Sequence, residues 1–432
     1  MAAPEKLLPS YFQDPHPLQA RLRQEGPVVL VEMPEGFNAW LVTRYADVRA
    51  ALADPRLCKD WRKLTPLMAG NAAGDEADDG AGHGADSDAE PADTPTDDML
   101  SWHMLNLDPP DHERLRRLVT KAFTARRVAD LRPRIAEITA SLLDDLAAHD
   151  GGPVDLLESF AFPLPVTVIS ELLGIPASDR DKFRAWSDAV VSSVTKPEQM
   201  RAAATEMIAY FSAQAEARRR SAHQGDGSAS SDDLLSALIQ AQDEGDRLTT
   251  GELISMVFLL LIAGHETTVN LIASGTLTLL LDPAAHARLR ADRSLLPAAI
   301  EELLRYTSPV NHATFRFTIE PTTLAGADIP AGQIVIVGLS SANRDGTRFA
   351  EPDSFDLDRA QRDEPGGGHV AFGHGIHYCL GAPLARLEAE IAFSGLLDRF
   401  PDMTLAVPPS ELRWRPSTLI RGLETLPVRL RA

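Results

Sequence analysis

The residues with the most chemical potential run from Phe372 to Arg386: Phe-Gly-His-Gly-Ile-His-Tyr-Cys-Leu-Gly-Ala-Pro-Leu-Ala-Arg. Cys379 sits in a glycine-rich loop that leads into an expected helix from about Leu380 to Phe400. A thiol at a helix N-terminus is drawn towards thiolate by the helix dipole and by backbone N–H groups without partners. Gly373 and Gly375 let the loop take positive φ, and Gly381, lacking Cβ, lets the helix lie against a flat object. Thiolate, tight loop and glycine-faced helix together suit an axial ligand for haem iron. A lone cysteine is more often a packing residue, since free Cys is among the most buried types. Here, however, Phe372, Gly375, Cys379 and Gly381 fill four fixed positions at once. At ordinary residue frequencies that coincidence arises about once in several hundred chains of this size.

A second chemical signal interrupts a long apolar run. Ala263-Gly264-His265-Glu266-Thr267-Thr268 places small residues, a carboxylate and hydroxyls inside what must be a buried helix. Burying Glu266 unpaired is costly, so it either belongs to a structural polar cluster or handles protons. A third signal is His112 and Arg116, four apart on one face of a helix opened by Asp108-Pro109-Pro110-Asp111. By themselves they describe a solvated polar face. Glu302 and Arg305, three apart on another helix, are weak evidence alone, because such pairs are common.

The stretch Phe372–Gly381 closely resembles the cysteine-ligand loop of the cytochrome P-450 family of haem-thiolate monooxygenases. His377 and the Leu384-Ala385-Arg386-x-Glu388 tail are similar to those of soluble bacterial members. The resemblance implies a mainly α fold with small β-sheets, a long central helix over haem b and the cysteine loop on the proximal side. It implies Cys379 as the iron ligand, with Phe372, Gly373, His377 and Gly381 around the cofactor. Ala263 and Gly264 would leave room beside the iron, and Glu266 with Thr267 would form the catalytic pair that delivers protons to dioxygen. His112, Arg116 and Arg316 would hold haem propionates, for which Arg's planar fork and an imidazole N–H are well matched. Glu302, Arg305 and Arg359 would form a structural network. Met104, Ala263, Val310, Thr314 and Leu419 would line the substrate pocket. His265 and Thr268 are read as structural.

These groups need elements to position them. Thr249-Thr250-Gly251-Glu252 has the form of a capping box, and the helix it starts runs to Asp282-Pro283, about 48 Å at the standard rise. It is apolar almost all round, so it must be central. A membrane span is disfavoured, because the apolar run Leu253–Ala263 is too short and ends in Gly-His-Glu-Thr-Thr. Val28–Val31 and Ala39–Val42 read as a strand–turn–strand hairpin, with Ile334–Val337 a candidate partner strand. Ile135–Leu146, Phe160–Leu173, Asp179–Val194 and Glu198–Arg220 carry apolar residues at helical spacing. The resemblance places a hinged helix pair among these, over the substrate. Gly70–Asp98 has no aromatic or β-branched aliphatic residue and is expected to be disordered or mobile, either a passive insertion or a lid. Ala222–Ser231 reads as a second flexible tract.

The 432 residues are expected to form one domain, 1–432, with 70–98 as an insertion. The net charge of −20 argues against nucleic acid and against an anionic membrane surface as partners, although ten acidic residues between Asp75 and Asp98 account for half of it. Two cysteines rule out a disulfide framework and point to a reducing, cytoplasmic compartment; Cys58 reads as packing. No signal peptide or anchor is evident. Arg114, Arg117 and Lys121 form a basic stripe, either solubilising or a docking patch for an acidic ferredoxin. No dinucleotide fingerprint opens a helix after a strand, so electrons are expected from a ferredoxin and its reductase. The expected reaction is hydroxylation or epoxidation of an apolar small molecule by a monomer. The resemblance points to a macrolide, another polyketide, a steroid or a vitamin D-like compound. A peroxide-using or nitric-oxide-reducing enzyme, or a haem-thiolate sensor, would share the cysteine loop.

Overall fold

The structure is a computed structural model describing residues 4–64, 99–149, 151–224, 233–243, 248–362 and 368–430. The helices that build the site are, in chain order, α1 (Asp111–Thr120), α2 (Arg132–Ala147), α3 (Pro163–Leu173), α4 (Arg180–Val191), α5 (Pro197–Gln224), α6 (Thr250–Leu281), α7 (Leu296–Thr307) and α8 (Ala382–Arg399). The 32-residue α6 is the axis of the packing and touches α3, α7 and α8. Its start is the expected capping box: Glu252 N donates to Thr249 Oγ1 at 3.2 Å, and Thr249 N donates to Glu252 Oε2 at 2.8 Å. By length and composition α6 could cross a membrane, but 83% of its most apolar window is buried inside the protein. It is a core helix, apolar all round because other helices surround it.

Two of its glycines mark where neighbours come closest. A Cβ on Gly264 would lie 2.8 Å from Ile169 Cγ1 of α3, and one on Gly275 would lie 2.6 Å from Phe393 Cζ of α8. Side chains there would push those helices away from α6. Gly264 was expected to leave room beside the iron. It does line the cavity described below, but the space left by its missing Cβ is filled by Ile169.

The main sheet has six strands: β1 (Glu5–Lys6), β2 (Val28–Glu32), β3 (Asn38–Val42), β4 (Leu57–Cys58), β5 (Arg316–Thr318) and β6 (Ile334–Val337). Their spatial order is β1-β2-β3-β6-β5-β4. The expected hairpin forms, Val31 opposite Ala39, and β6 joins it in parallel with Val335 opposite Trp40. At the far edge β4 runs antiparallel to β5, Cys58 opposite Phe317 and Leu57 opposite Thr318. Cys58 is buried and not disulfide-bonded, as a packing residue should be. A three-stranded and a two-stranded sheet complete the β structure.

Glu302 and Arg305 on α7 are buried to 2% and 1% exposure. The Arg305 guanidinium donates to both Glu302 oxygens at 2.7 and 2.8 Å, and Arg359 Nε donates to Glu302 Oε1 at 3.1 Å. The remaining Arg305 N–H groups reach the carbonyls of Asn343, Pro352 and Ser354. The network ties α7 to the segment that leads into the cysteine loop and lies away from the cavity lining. Gly70–Asp98 lies outside the described residues. Of the second tract, Ala222–Gln224 belong to α5, and 225–231 lie outside the described residues.

Candidate active site around Cys379

The cysteine loop is a run of local constraints. Gly373 and Gly375 take φ of 73° and 74°, left-handed values that favour glycine. A Cβ on Gly375 would also come 3.0 Å from the Leu52 carbonyl oxygen, so the loop can rest directly on that backbone. Cys379 N donates to Phe372 O at 2.9 Å, which closes the loop just before α8. The backbone N–H groups of Gly381 and Ala382 are aimed at the sulfur, as a helix start provides. A Cβ on Gly381 would meet nothing nearer than Cys379 Sγ at 3.9 Å, leaving a flat open face beside the thiol.

The accessible surface of Cys379 belongs to the wall of an internal cavity of about 550 Å³. Burial therefore pushes the thiol pKa up, and the two N–H groups with the Arg116 charge only partly offset this. The helix start alone was expected to favour thiolate, but desolvation outweighs it. A metal ion at the sulfur would supply the missing stabilisation, since a coordinating thiol is deprotonated outright. Among the described residues no cluster of three or more His, Cys, Asp or Glu forms a metal site, so a metal at this sulfur needs its other ligands from a bound group.

The cavity brings the predicted site together. Ala263, Gly264, Glu266 and Thr267 of α6 line it, and so do Phe372, Gly373, His377, Cys379 and Gly381 of the loop. The predicted pocket residues Met104, Val310, Thr314 and Leu419 line it as well, among a majority of apolar side chains. Val190 and Val191 of α4 with Met200 and Ala204 of α5 supply the helix pair that was expected over the substrate.

Part of the wall carries basic side chains and imidazoles. His112, Arg116, Arg316, His377 and, unforeseen from sequence, Lys59 all face the cavity. His112 and Arg116 tie α1 to the cysteine loop: His112 Nε2 lies 3.1 Å from Ile376 O, and Arg116 Nη2 donates to Tyr378 O at 2.8 Å. Arg316 is 4% exposed, and its Nε finds no partner among the described residues. Desolvation lowers its pKa to about 10. His377 Nδ1 also has no partner there, and burial holds that imidazole far below its usual pKa, helped by the nearby charge of Lys59. Buried donors without acceptors and buried basic groups without anions call for a ligand carrying carboxylates. With the lone thiol and the flat Gly381 face, these residues fit haem b, which presents iron, a flat ring and two propionates.

On the α6 side of the cavity Thr267 Oγ1 donates to Ala263 O at 3.1 Å. Glu266 is 4% exposed and is not left unpaired: Arg415 Nη1 lies 3.0 Å from its Oε2. Arg415 Nη2 in turn lies 2.6 Å from Asp188 Oδ1 on α4, whose side chain is 56% exposed. A charged chain thus leads from the cavity wall to solvent. His265, read from the sequence as structural, is buried and bonded to its surroundings: its Nδ1–H donates to Leu261 O at 2.7 Å and its Nε2 accepts from Ser187 Oγ at 3.0 Å. Arg114 leaves the expected basic stripe, since its guanidinium pairs with Glu252 and Asp111, while Arg117 and Lys121 stay exposed. Sequence reasoning missed Lys59, Arg415 and Asp188, and noted Glu388 only as part of the tail after the cysteine. None has a local pattern that signals its role; each acquires its neighbours only through the fold.

A cavity with one thiol on its wall, an acid–threonine pair on its α6 side and buried basic groups beside them defines a haem-thiolate protein. The chain belongs to the cytochrome P450 family, whose model matches residues 82–413. It is 51% identical over 422 residues to cytochrome P450 107B1 of Saccharopolyspora erythraea, covering 97% of this chain and 96% of that protein. Vitamin D(3) 25-hydroxylase of Pseudonocardia autotrophica is 46% identical over 420 residues, covering 97% of this chain and 94% of that one. The solved structure of the tirandamycin C-bound P450 monooxygenase TamI matches with a TM-score of 0.85 and 49% identity, covering 99% of this chain and 100% of that chain. In line with its family, the protein is a monooxygenase that uses haem b.

Proposed function

We propose that this enzyme hydroxylates or epoxidises an apolar small molecule of polyketide, macrolide, steroid or vitamin D-like type, in the cytoplasm, as a single-domain monomer spanning 1–432. The observation that carries the reading is that Glu266 and Thr267 face the same apolar cavity as Cys379. Hydroxylation of vitamin D3 by one relative and the binding of tirandamycin C by another support the substrate class.

Cys379 would hold the iron, and His112, Arg116, Arg316 and His377 would hold the propionates. Bound there, haem supplies the redox chemistry by which dioxygen is reduced and one of its atoms is transferred, with thiolate donation favouring O–O cleavage. The chain manages protons and water. Thr267 presents a hydroxyl that now donates to Ala263 O and can turn towards the cavity. Glu266, which Arg415 holds and links to the exposed Asp188, would pass protons inward by way of water, since the guanidinium orients the carboxylate and does not itself give up a proton. The apolar lining excludes water and positions the substrate.

Electrons would come from a ferredoxin served by its reductase. Arg117 on α1 and Lys121 just past its end offer an exposed positive surface for an acidic partner, on a chain whose net charge is −20. Turnover with ferredoxin, reductase and NAD(P)H, set against turnover with peroxide alone, tests this donor; a faster peroxide reaction would replace it. Thr267→Ala should lower product formed per dioxygen consumed and raise peroxide release, and unchanged coupling would remove Thr267 from the mechanism. Candidate polyketides and sterols that shift the haem spin state on titration would identify the substrate class.

A further inference from the structure

Lys59 directly follows β4, where Leu57 faces Thr318 and Cys58 faces Phe317; continuing that register one step past the ladder points Lys59 towards Arg316, whose charge acts on it. Like charges near one another repel, and these two are also buried, at 2% and 4% exposure. Neither forms a salt bridge with a carboxylate of the described residues. The ammonium of Lys59 donates to the Thr314 hydroxyl, and Arg316 Nη2 donates to the Leu52 carbonyl at 3.2 Å. Asp108 is the acid whose charge acts on both. Its carboxylate is already taken, by the backbone N–H of Lys59 at 3.1 Å and by Lys63 Nζ at 2.9 Å. Both Lys59 and Arg316 line the cavity, and both act electrostatically on His377 in the cysteine loop.

Two adjacent buried basic groups facing this cavity are costly: burial and the Arg316 charge push the Lys59 pKa well down, and an anion entering the cavity would relieve both. We propose that Lys59 is a further anchor for a haem carboxylate, acting together with Arg316. The assignment rests on the haem reading of this cavity. It moves Thr314 as well: that hydroxyl orients the lysine ammonium from the side of the cavity otherwise given to substrate. An alternative source of the same chemistry is a carboxylate on the substrate, and the test separates the two.

The holoenzyme is compared with Lys59→Met, Lys59→Arg and Thr314→Val, with folding checked by circular dichroism. Haem transfer to excess apomyoglobin should speed up about ten- to a hundredfold in Lys59→Met, the scale of a lost hydrogen bond to a charged group. Lys59→Arg should restore slow transfer and so answers the case in which Lys59→Met folds poorly. The propionate bending band in the resonance Raman spectrum should shift in Lys59→Met. Thr314→Val should keep haem transfer within about twofold of wild type, since it leaves the cation in place. Wild-type transfer rates in Lys59→Met, or an equal loss in Thr314→Val, would overturn the proposal. So would a Lys59→Met variant that retains haem but binds dodecanoic acid more weakly while binding dodecanol unchanged. Failure of the wild type itself to hold haem would instead refute the cavity reading.

Discussion

Arg415 places its guanidinium 3.0 Å from the Glu266 carboxylate, a contact that spans 149 residues of chain. Its other end meets Asp188 on α4, so one arginine joins the central helix, the helix over the cavity and the last segment of the chain. Removing the arginine leaves Glu266 buried without a cationic partner and cuts the chain to solvent. Arg415→Leu should lower product formed per NAD(P)H on the order of tenfold and raise peroxide. Asp188→Asn should do less, because its exposed end can be replaced by water. Measuring product and peroxide yields side by side checks this, and equal yields in Arg415→Leu and wild type would discard the relay.

Gly264 and Ile169 are predicted to be coupled. In the wild type, Gly264→Ala forces a methyl to 2.8 Å from a stiff β-branched side chain and should destabilise by roughly 1–2 kcal/mol net of helix propensity. With Ile169→Ala already present, the same change should stabilise by up to about 1 kcal/mol. Urea unfolding of the four variants measures the coupling. A destabilisation that Ile169→Ala does not relieve would mean that the glycine serves the cavity and not the α3–α6 crossing.

Glu302→Gln should be among the most damaging single substitutions outside the cavity. It leaves Arg305, 1% exposed, and Arg359, 3% exposed, without their shared carboxylate. Breaking one side of a buried ion pair costs about 3–5 kcal/mol. The expected result is little soluble holoprotein, and a urea midpoint close to wild type would contradict the structural role.

Glu388 on α8 is 1% exposed, and its Oε2 has no partner among the described residues. Burial raises its pKa from 4.5 to about 8. A carboxyl whose folded pKa is raised holds its proton in the folded state while the unfolded chain releases it. Its contribution to stability is therefore complete below about pH 4.5 and is lost as pH rises through about 8. Glu388→Gln should remove that slope and be more stable than wild type at pH 8, by on the order of a few kcal/mol. Unfolding curves at pH 5, 6.5 and 8 give the comparison, and parallel pH dependences in the two proteins would show that Glu388 is not held neutral.

Much of the site was legible because its signals are local. The left-handed glycines at 373 and 375, the closing bond from Cys379 N to Phe372 O and the Thr249–Glu252 capping box are contacts within a few residues, and residue type alone dictates them. The apolar runs Val28–Val31 and Ala39–Val42 likewise made the hairpin readable. Gly264 shows the limit. Its position next to Glu266 was readable, but the neighbour that fills the space of its missing Cβ, Ile169, belongs to a different helix.

The amino-acid order by itself determined which groups could do chemistry: one thiol at a helix start, an acid–threonine pair in an apolar helix and a histidine–arginine pair four residues apart. Those follow from short-range rules of backbone geometry and periodicity. Tertiary structure alone decided which charges meet. Lys59 comes near Arg316 just past the β4–β5 pair, Arg415 reaches Glu266 across 149 residues of chain, and Arg114 turns inward to Glu252. Burial, which has no local signature, decided the rest: it outweighs the helix start at Cys379 and holds Glu388 protonated, because desolvation depends on every element packed around a group.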